Sequence, residues 1–193
     1  AKTASEKLSY TGMFILLFFI FMRSTIHTGL SSYLPLFFMI FRGSEAIFAS
    51  ALVSAFLLGG VAGTYTGAVL SDRLGARRII LGSITLSIPT IWLISHAGTE
   101  TGAMLAVVAS GFFIIGSFAT TIVLAQTMLP DYVGMAAGLT IGFSVGMGGF
   151  GVTILGFIAD NFGLPLVMQI VTWLPVAAAI IALKIPIPAS LRK

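Results

Sequence analysis

The sequence has no cysteine, which excludes disulfides, thiolate metal sites and cysteine nucleophiles. Charge is almost as scarce. Asp, Glu, Lys and Arg together make up 8% of the chain, against about 25% in ordinary soluble domains. The chain has no Walker loop to hold a nucleotide phosphate, no GxSG-type serine with a facing histidine, and no acid inside an apolar run. These gaps argue against ATP hydrolysis and intramembrane proteolysis, so we expect neither an enzyme nor a metal or other cofactor. With 58% hydrophobic residues and a mean hydropathy of +1.09, what remains is the composition of an integral membrane protein. The net charge of +4 would point to nucleic acid in a soluble chain. Here the basic residues sit at the ends of apolar runs, where membrane topology accounts for them, and no nucleic-acid partner is expected.

A helix needs about 20 apolar residues to cross the hydrocarbon, and that rule predicts six spans. They run over residues 9–41, 45–70, 78–96, 102–128, 134–159 and 165–184. Residues 1–8, AKTASEKL, lack the features of a signal peptide and read as a linker remnant; residues 186–193 read as a short cytoplasmic tail. An even number of spans puts both ends on one side. Lys2, Lys7, Arg73, Arg77, Arg78, Lys184, Arg192 and Lys193 fall on that side and only Arg42 on the other, so the positive-inside rule predicts cytoplasmic termini. The first span is too long for a straight crossing, and Gly29 with Pro35 supplies the expected weak point.

Two similar corners are separated by three spans. Ser71, Asp72, Arg73, Leu74 and Gly75 precede Pro89, and Ala159, Asp160, Asn161, Phe162 and Gly163 precede Pro175. An odd offset sets the corners on opposite membrane faces, as an inverted three-plus-three repeat requires. Small residues also recur at helical spacing: Ala51, Ala55, Gly59, Gly63, Gly67 and Ser71 in the second span, and Gly134, Gly138, Gly142 and Gly146 in the fifth. Residues four apart form a ridge, and a ridge of small side chains lets another helix approach closely. Either ridge alone reads as internal packing; two in a six-helix chain point also to a partner surface. Gly146, Gly148 and Gly151 spell GxGxxG, but no strand precedes them and no ribose-binding acid follows, so the dinucleotide reading fails.

Only Arg23 and His27 are ionisable and deep in a span. They lie one turn apart, with Ser31 continuing the same face. An Arg at a helix centre costs about 2.5 to 3.5 kcal/mol on insertion scales, so it calls for a partner or a wet cavity. A carboxylate partner would have to come from another polypeptide. His27 fits a packing role as well as a proton relay. In the fourth span Ser110, Ser117 and Thr121 form a mildly polar face, extended by Gln126; hydroxyls in spans often bond their own backbone.

The stretch from Gly67 through Ser71, Asp72, Arg73, Gly75, Arg77 and Arg78 resembles the cytoplasmic signature loop of the major facilitator superfamily. The run Ala125, Gln126, Leu129, Pro130, then Gly134, Gly138, Gly142, Phe143, Gly146 to Gly149, Gly156, Ala159 and Asp160 narrows the resemblance to bacterial drug exporters of that superfamily. It implies an all-α fold of six transmembrane helices, the C-terminal half of a twelve-helix transporter. The first and fourth spans would line a midplane cavity, with Arg23, His27, Ser31, Ser117, Thr121 and Gln126 as substrate-binding candidates. The second and fifth spans would face an N-terminal six-helix half. Asp72, Arg73 and Arg77 would form a latch, the Asp accepting from a helix N-terminus and the arginines pairing with acids, although Ala76 stands where a basic residue is commoner. The implied partners are a small-molecule substrate, protons, membrane lipid and the missing half. A self-associating six-helix channel or interaction module is the other class consistent with the residues, and would make the chain a homodimer.

Overall fold

The computed structural model describes residues 2–186, with side chains from Thr11 onward. Six stretches are long and apolar enough to span a membrane: Thr11–Phe41, Ala46–Leu74, Ala76–His96, Glu100–Met128, Pro130–Phe162 and Leu164–Leu183. Each agrees with an expected span to within a few residues, because hydrocarbon thickness fixes how much apolar sequence a crossing needs. All but the first residue of the expected tail lie outside the described residues.

The helices are α1 (Lys2–Leu36), α2 (Ala46–Leu74), α3 (Ala76–His96), α4 (Glu100–Gly116), α5 (Phe118–Met128), α6 (Val133–Phe162) and α7 (Leu164–Leu183). The first helix begins at Lys2, so the residues expected as linker are helical, ahead of the span that starts at Thr11. Its irregularity differs from the expectation in one respect. Gly29 lies in unbroken helix, where a Cβ would come within 2.9 Å of Leu155 and 3.4 Å of Val171. The break falls after Pro35, as a π-helical turn over Phe37–Phe41. Pro35 has no N–H to donate to the carbonyl four residues back, at Ser31, and the widened turn begins two residues after it.

The fourth span is two helices, α4 and α5, meeting at Ser117 with φ −88° and ψ 1°. Gly116 and Ser117 form the kind of small Gly/Ser pair at which helices kink. Pro89 and Pro175, by contrast, sit inside continuous helices.

The two similar corners share one geometry. Gly75 joins α2 to α3 with φ +88° and ψ 148°, and Gly163 joins α6 to α7 with φ +88° and ψ 162°. Each glycine N–H donates to the carbonyl four residues back, Gly75 to Ser71 at 3.0 Å and Gly163 to Ala159 at 2.9 Å. Such backbone angles are open almost only to glycine, which is why that residue recurs in both copies of the repeat.

Packing follows the same internal logic. α1 packs mainly on α6 and α7, α3 on α4 and α7, and α2 chiefly on α4. Phe19, Ile26, Leu30, Phe56, Ile84 and Val107 are among the residues that fill the centre.

Candidate functional site

The second-span ridge is committed inside the bundle. A Cβ at Gly59 would lie 2.2 Å from the Val108 carbonyl oxygen, at Gly63 2.0 Å from that of Phe112, and at Gly67 1.9 Å from that of Gly116. Gly111 meets the Phe56 carbonyl in the same way. The glycines of α2 therefore bring its backbone against α4, the internal-packing reading of this ridge; Gly59, Gly63 and Gly67 themselves offer no outward surface. Gly134, Gly138, Gly142 and Gly146 behave oppositely. Among the described residues nothing lies within 4 Å of a Cβ at any of them, and all four are exposed.

The face of α6 that does pack inward is a different one. Ser144, Gly148, Gly151 and Leu155 lie along α1, with Ser144 Oγ hydrogen-bonded to Ser24 Oγ at 2.6 Å. Thr28 and Ser24 sit over Gly148, and Thr25 over Gly151. Farther along, the Tyr33 hydroxyl donates to the Val152 carbonyl at 3.0 Å.

Between α1, the α4–α5 break and this face of α6 opens a cavity of about 460 Å³. Arg23, Ser24, His27, Thr28, Phe118 and Ser144 are on its wall. Arg23 is 3% exposed, with its guanidinium 5.0 Å from the centre of the Phe118 ring. Its Nε is buried without a hydrogen-bond partner. A cation–π contact at this depth offsets part of the desolvation of the charge, yet supplies no acceptor to the Nε–H. Every acid whose side chain is described is exposed, so none of them neutralises Arg23 from within.

The helix break brings further polar atoms to this level. Ser117 Oγ and Thr120 Oγ1 on the far side, and Thr25 Oγ1 on α1, are buried without partners. Of the six residues proposed from sequence, Arg23 and His27 reach the cavity wall and Ser117 adjoins it through Phe118. Ser31, Thr121 and Gln126 are not on that wall. The Ser31 hydroxyl donates to the His27 carbonyl at 3.0 Å, and the Thr121 hydroxyl to that of Phe118 at 2.7 Å. The His27 ring lies against Phe56, with centroids 5.5 Å apart. Sequence reasoning missed Ser24, Thr28, Phe118, Thr120 and Ser144. The spacing of Ser144, Gly148 and Gly151 was a usable signal, a second small ridge on the helix whose more regular glycine stripe drew notice first.

At the signature loop, Arg77 donates through a terminal guanidinium nitrogen to the Leu183 carbonyl at 2.9 Å. It serves the C-terminal end of α7 rather than an acid, because the last carbonyls of that helix have no intrahelical donors and carry the negative end of its dipole. Arg42 does the same on the other side, donating to the Ser95 and Ala97 carbonyls, each at 2.6 Å, at the end of α3. Asp72, Arg73 and Arg78 are exposed.

Two curated proteins align with most of this chain. Fosmidomycin resistance protein from Escherichia coli (strain K12) is 35% identical over 161 residues, which cover 83% of this chain and 39% of that protein. The uncharacterized MFS-type transporter YfnC from Bacillus subtilis (strain 168) is 37% identical over 146 residues, covering 75% of this chain and 35% of its own length. The chain belongs to the major facilitator superfamily. The six spans of its described residues correspond to half of a major facilitator fold, and it spans little more than a third of the length of the two relatives. No family model matches the sequence. Major facilitator proteins are transporters and not enzymes, in agreement with the reading of the chain as non-enzymatic.

Proposed function

We propose that this chain is the C-terminal half of a secondary transporter that exports small anionic molecules, phosphonate-like drugs or metabolites among them, by proton antiport with alternating access. The observation that carries the proposal is Arg23, a buried guanidinium with an unmatched Nε on the wall of a cavity of about 460 Å³ that holds no acid among the described residues. An uncompensated cation at this depth favours an anionic guest or an acid supplied from elsewhere. Ser24, Thr28 and Ser144 stand beside it as hydrogen-bonding groups, with Ser117 and Thr120 at the helix break. Ser31, Thr121 and Gln126 stay in the proposal as residues that reach substrate in another conformation. Fosmidomycin resistance in one relative supports the export of a phosphonate-like drug.

The exposed glycine stripe of α6 is the surface for the N-terminal six-helix half, which would also bring the proton-carrying acid. Asp72 and Arg73 at the loop would latch the two halves on the cytoplasmic side of a bacterial inner membrane. The test is transport of a phosphonate drug in proteoliposomes by the complete protein carrying Arg23→Met. Uptake should fall at least about ten-fold, the factor that about 1.4 kcal/mol of lost binding or transition-state stabilisation produces. Wild-type flux at normal reconstitution would refute the role of Arg23. Flux that never saturates and ignores the proton gradient would refute antiport and favour a pore.

A further inference from the structure

A second hollow lies at the surface of the bundle, in the groove between α2 and α3 over α4, and measures about 150 Å³. Gly82 keeps it open, Gly67 lies on its floor against α4, and the exposed Leu70 and Leu86 form its lips. The hydroxyl protons on its wall are already donated within the protein. The Thr66 hydroxyl donates to the Ala62 and Gly63 carbonyls, and the Ser83 hydroxyl to the Phe113 carbonyl. The groove is therefore lined for hydrocarbon along most of its length.

One end differs. Arg78 lines the groove from the first turn of α3, two residues after that helix begins at the Gly75 corner. It is exposed and has no hydrogen-bond or ion-pair partner among the described residues. No acid lies in the first turn of α3, so the positive end of the helix dipole adds to the Arg78 charge. Asp72 is not part of the wall. A cation at the membrane edge above a hydrocarbon slot matches the two parts of an anionic phospholipid.

We propose that this groove is a binding site for one anionic phospholipid, its acyl chain along Gly67 and Gly82 and its phosphate on Arg78. The site is separate from the Arg23 cavity and does not depend on the transport reading. Gly82 provides a direct test, since nothing lies within 4 Å of a Cβ there and a larger side chain enters the groove without striking protein. The natural protein, purified in detergent, is titrated with phosphatidylglycerol and with phosphatidylcholine and followed by native mass spectrometry.

The wild type should hold phosphatidylglycerol about five-fold more tightly than phosphatidylcholine, the factor that corresponds to roughly 1 kcal/mol for one interfacial cation. Arg78→Gln should abolish that preference while leaving one lipid bound. Gly82→Leu, with Arg78 intact, should lose the bound lipid of either kind. Equal affinity of the wild type for the two lipids, or wild-type lipid retention by Gly82→Leu, overturns the proposal. So does dissociation or loss of a protein partner in Gly82→Leu with lipid binding unchanged, which would assign the groove to a helix.

Discussion

Replacing Gly63 by alanine adds a single methyl group where the structure has no room for it. The new Cβ would stand 2.0 Å from the Phe112 carbonyl oxygen and 2.7 Å from its carbon, whereas ordinary contact begins near 3.4 Å. The obstacle is backbone in a helix, so no rotamer change relieves it. α2 and α4 would have to part by about 1.4 Å at this level, which would also loosen Gly59 on Val108 and Gly67 on Gly116. Overpacking of this kind costs about 1–3 kcal/mol, and a rigid obstacle puts it at the upper end. On the scale of about 2–4 °C per kcal/mol for chains of this length, melting should fall by about 6–12 °C. The assay is thermal unfolding of the purified protein in detergent, with recovery of monodisperse material after heating as a second readout. Gly138→Ala is the paired control, because nothing lies within 4 Å of its Cβ and alanine is the better helix former by about 0.8–1.0 kcal/mol. A Gly63→Ala protein that melts with the wild type would show that the seam is not backbone against backbone.

Gly75→Ala and Gly163→Ala should each destabilise by about 1–3 kcal/mol, since both residues hold φ at +88° with extended ψ; equal melting of variants and wild type would refute the corner geometry. Arg77→Gln should lower the melting temperature by a few degrees by removing the donor to Leu183 at the end of α7, an effect of about 0.3–1 kcal/mol, while Arg73→Gln leaves stability unchanged. Gly138→Leu should weaken the complete transporter, seen as reduced assembly or flux, if α6 meets the other half there; normal assembly would take that face away from the interface. Asp72→Asn should slow transport turnover more than it weakens substrate affinity, and unchanged turnover with unchanged affinity would count against a latch.

The number of spans was legible because hydrocarbon thickness leaves little choice, and the repeat because Gly75 and Gly163 occupy backbone conformations that other residues resist. Arg23 was legible for a related reason: a charge inside an apolar run needs an explanation wherever the helix is placed. What could not be read was rotation. Thr120 and Thr121 are neighbours, yet one hydroxyl is orphaned and the other bonds its own helix. The glycine ridges of α2 and α6 look alike in sequence, and only the facing surface tells them apart. α4 offers Gly111 and Gly116 to the first, while nothing among the described residues reaches the second. The break at Ser117 had a signal in the Gly116–Ser117 pair, but the same small residues also suit unbroken close packing.

The glycine seam between α2 and α4 has a mechanical meaning as well. Close-packed helices usually slide or tilt by exchanging side-chain rotamers, and along Gly59, Gly63 and Gly67 there are no side chains to exchange. A hinge needs slack, and this seam has none. Whatever movement the bundle makes, α2 and α4 will travel as one strut, and the bending must occur where the helices are already irregular, at Ser117 and beyond Pro35.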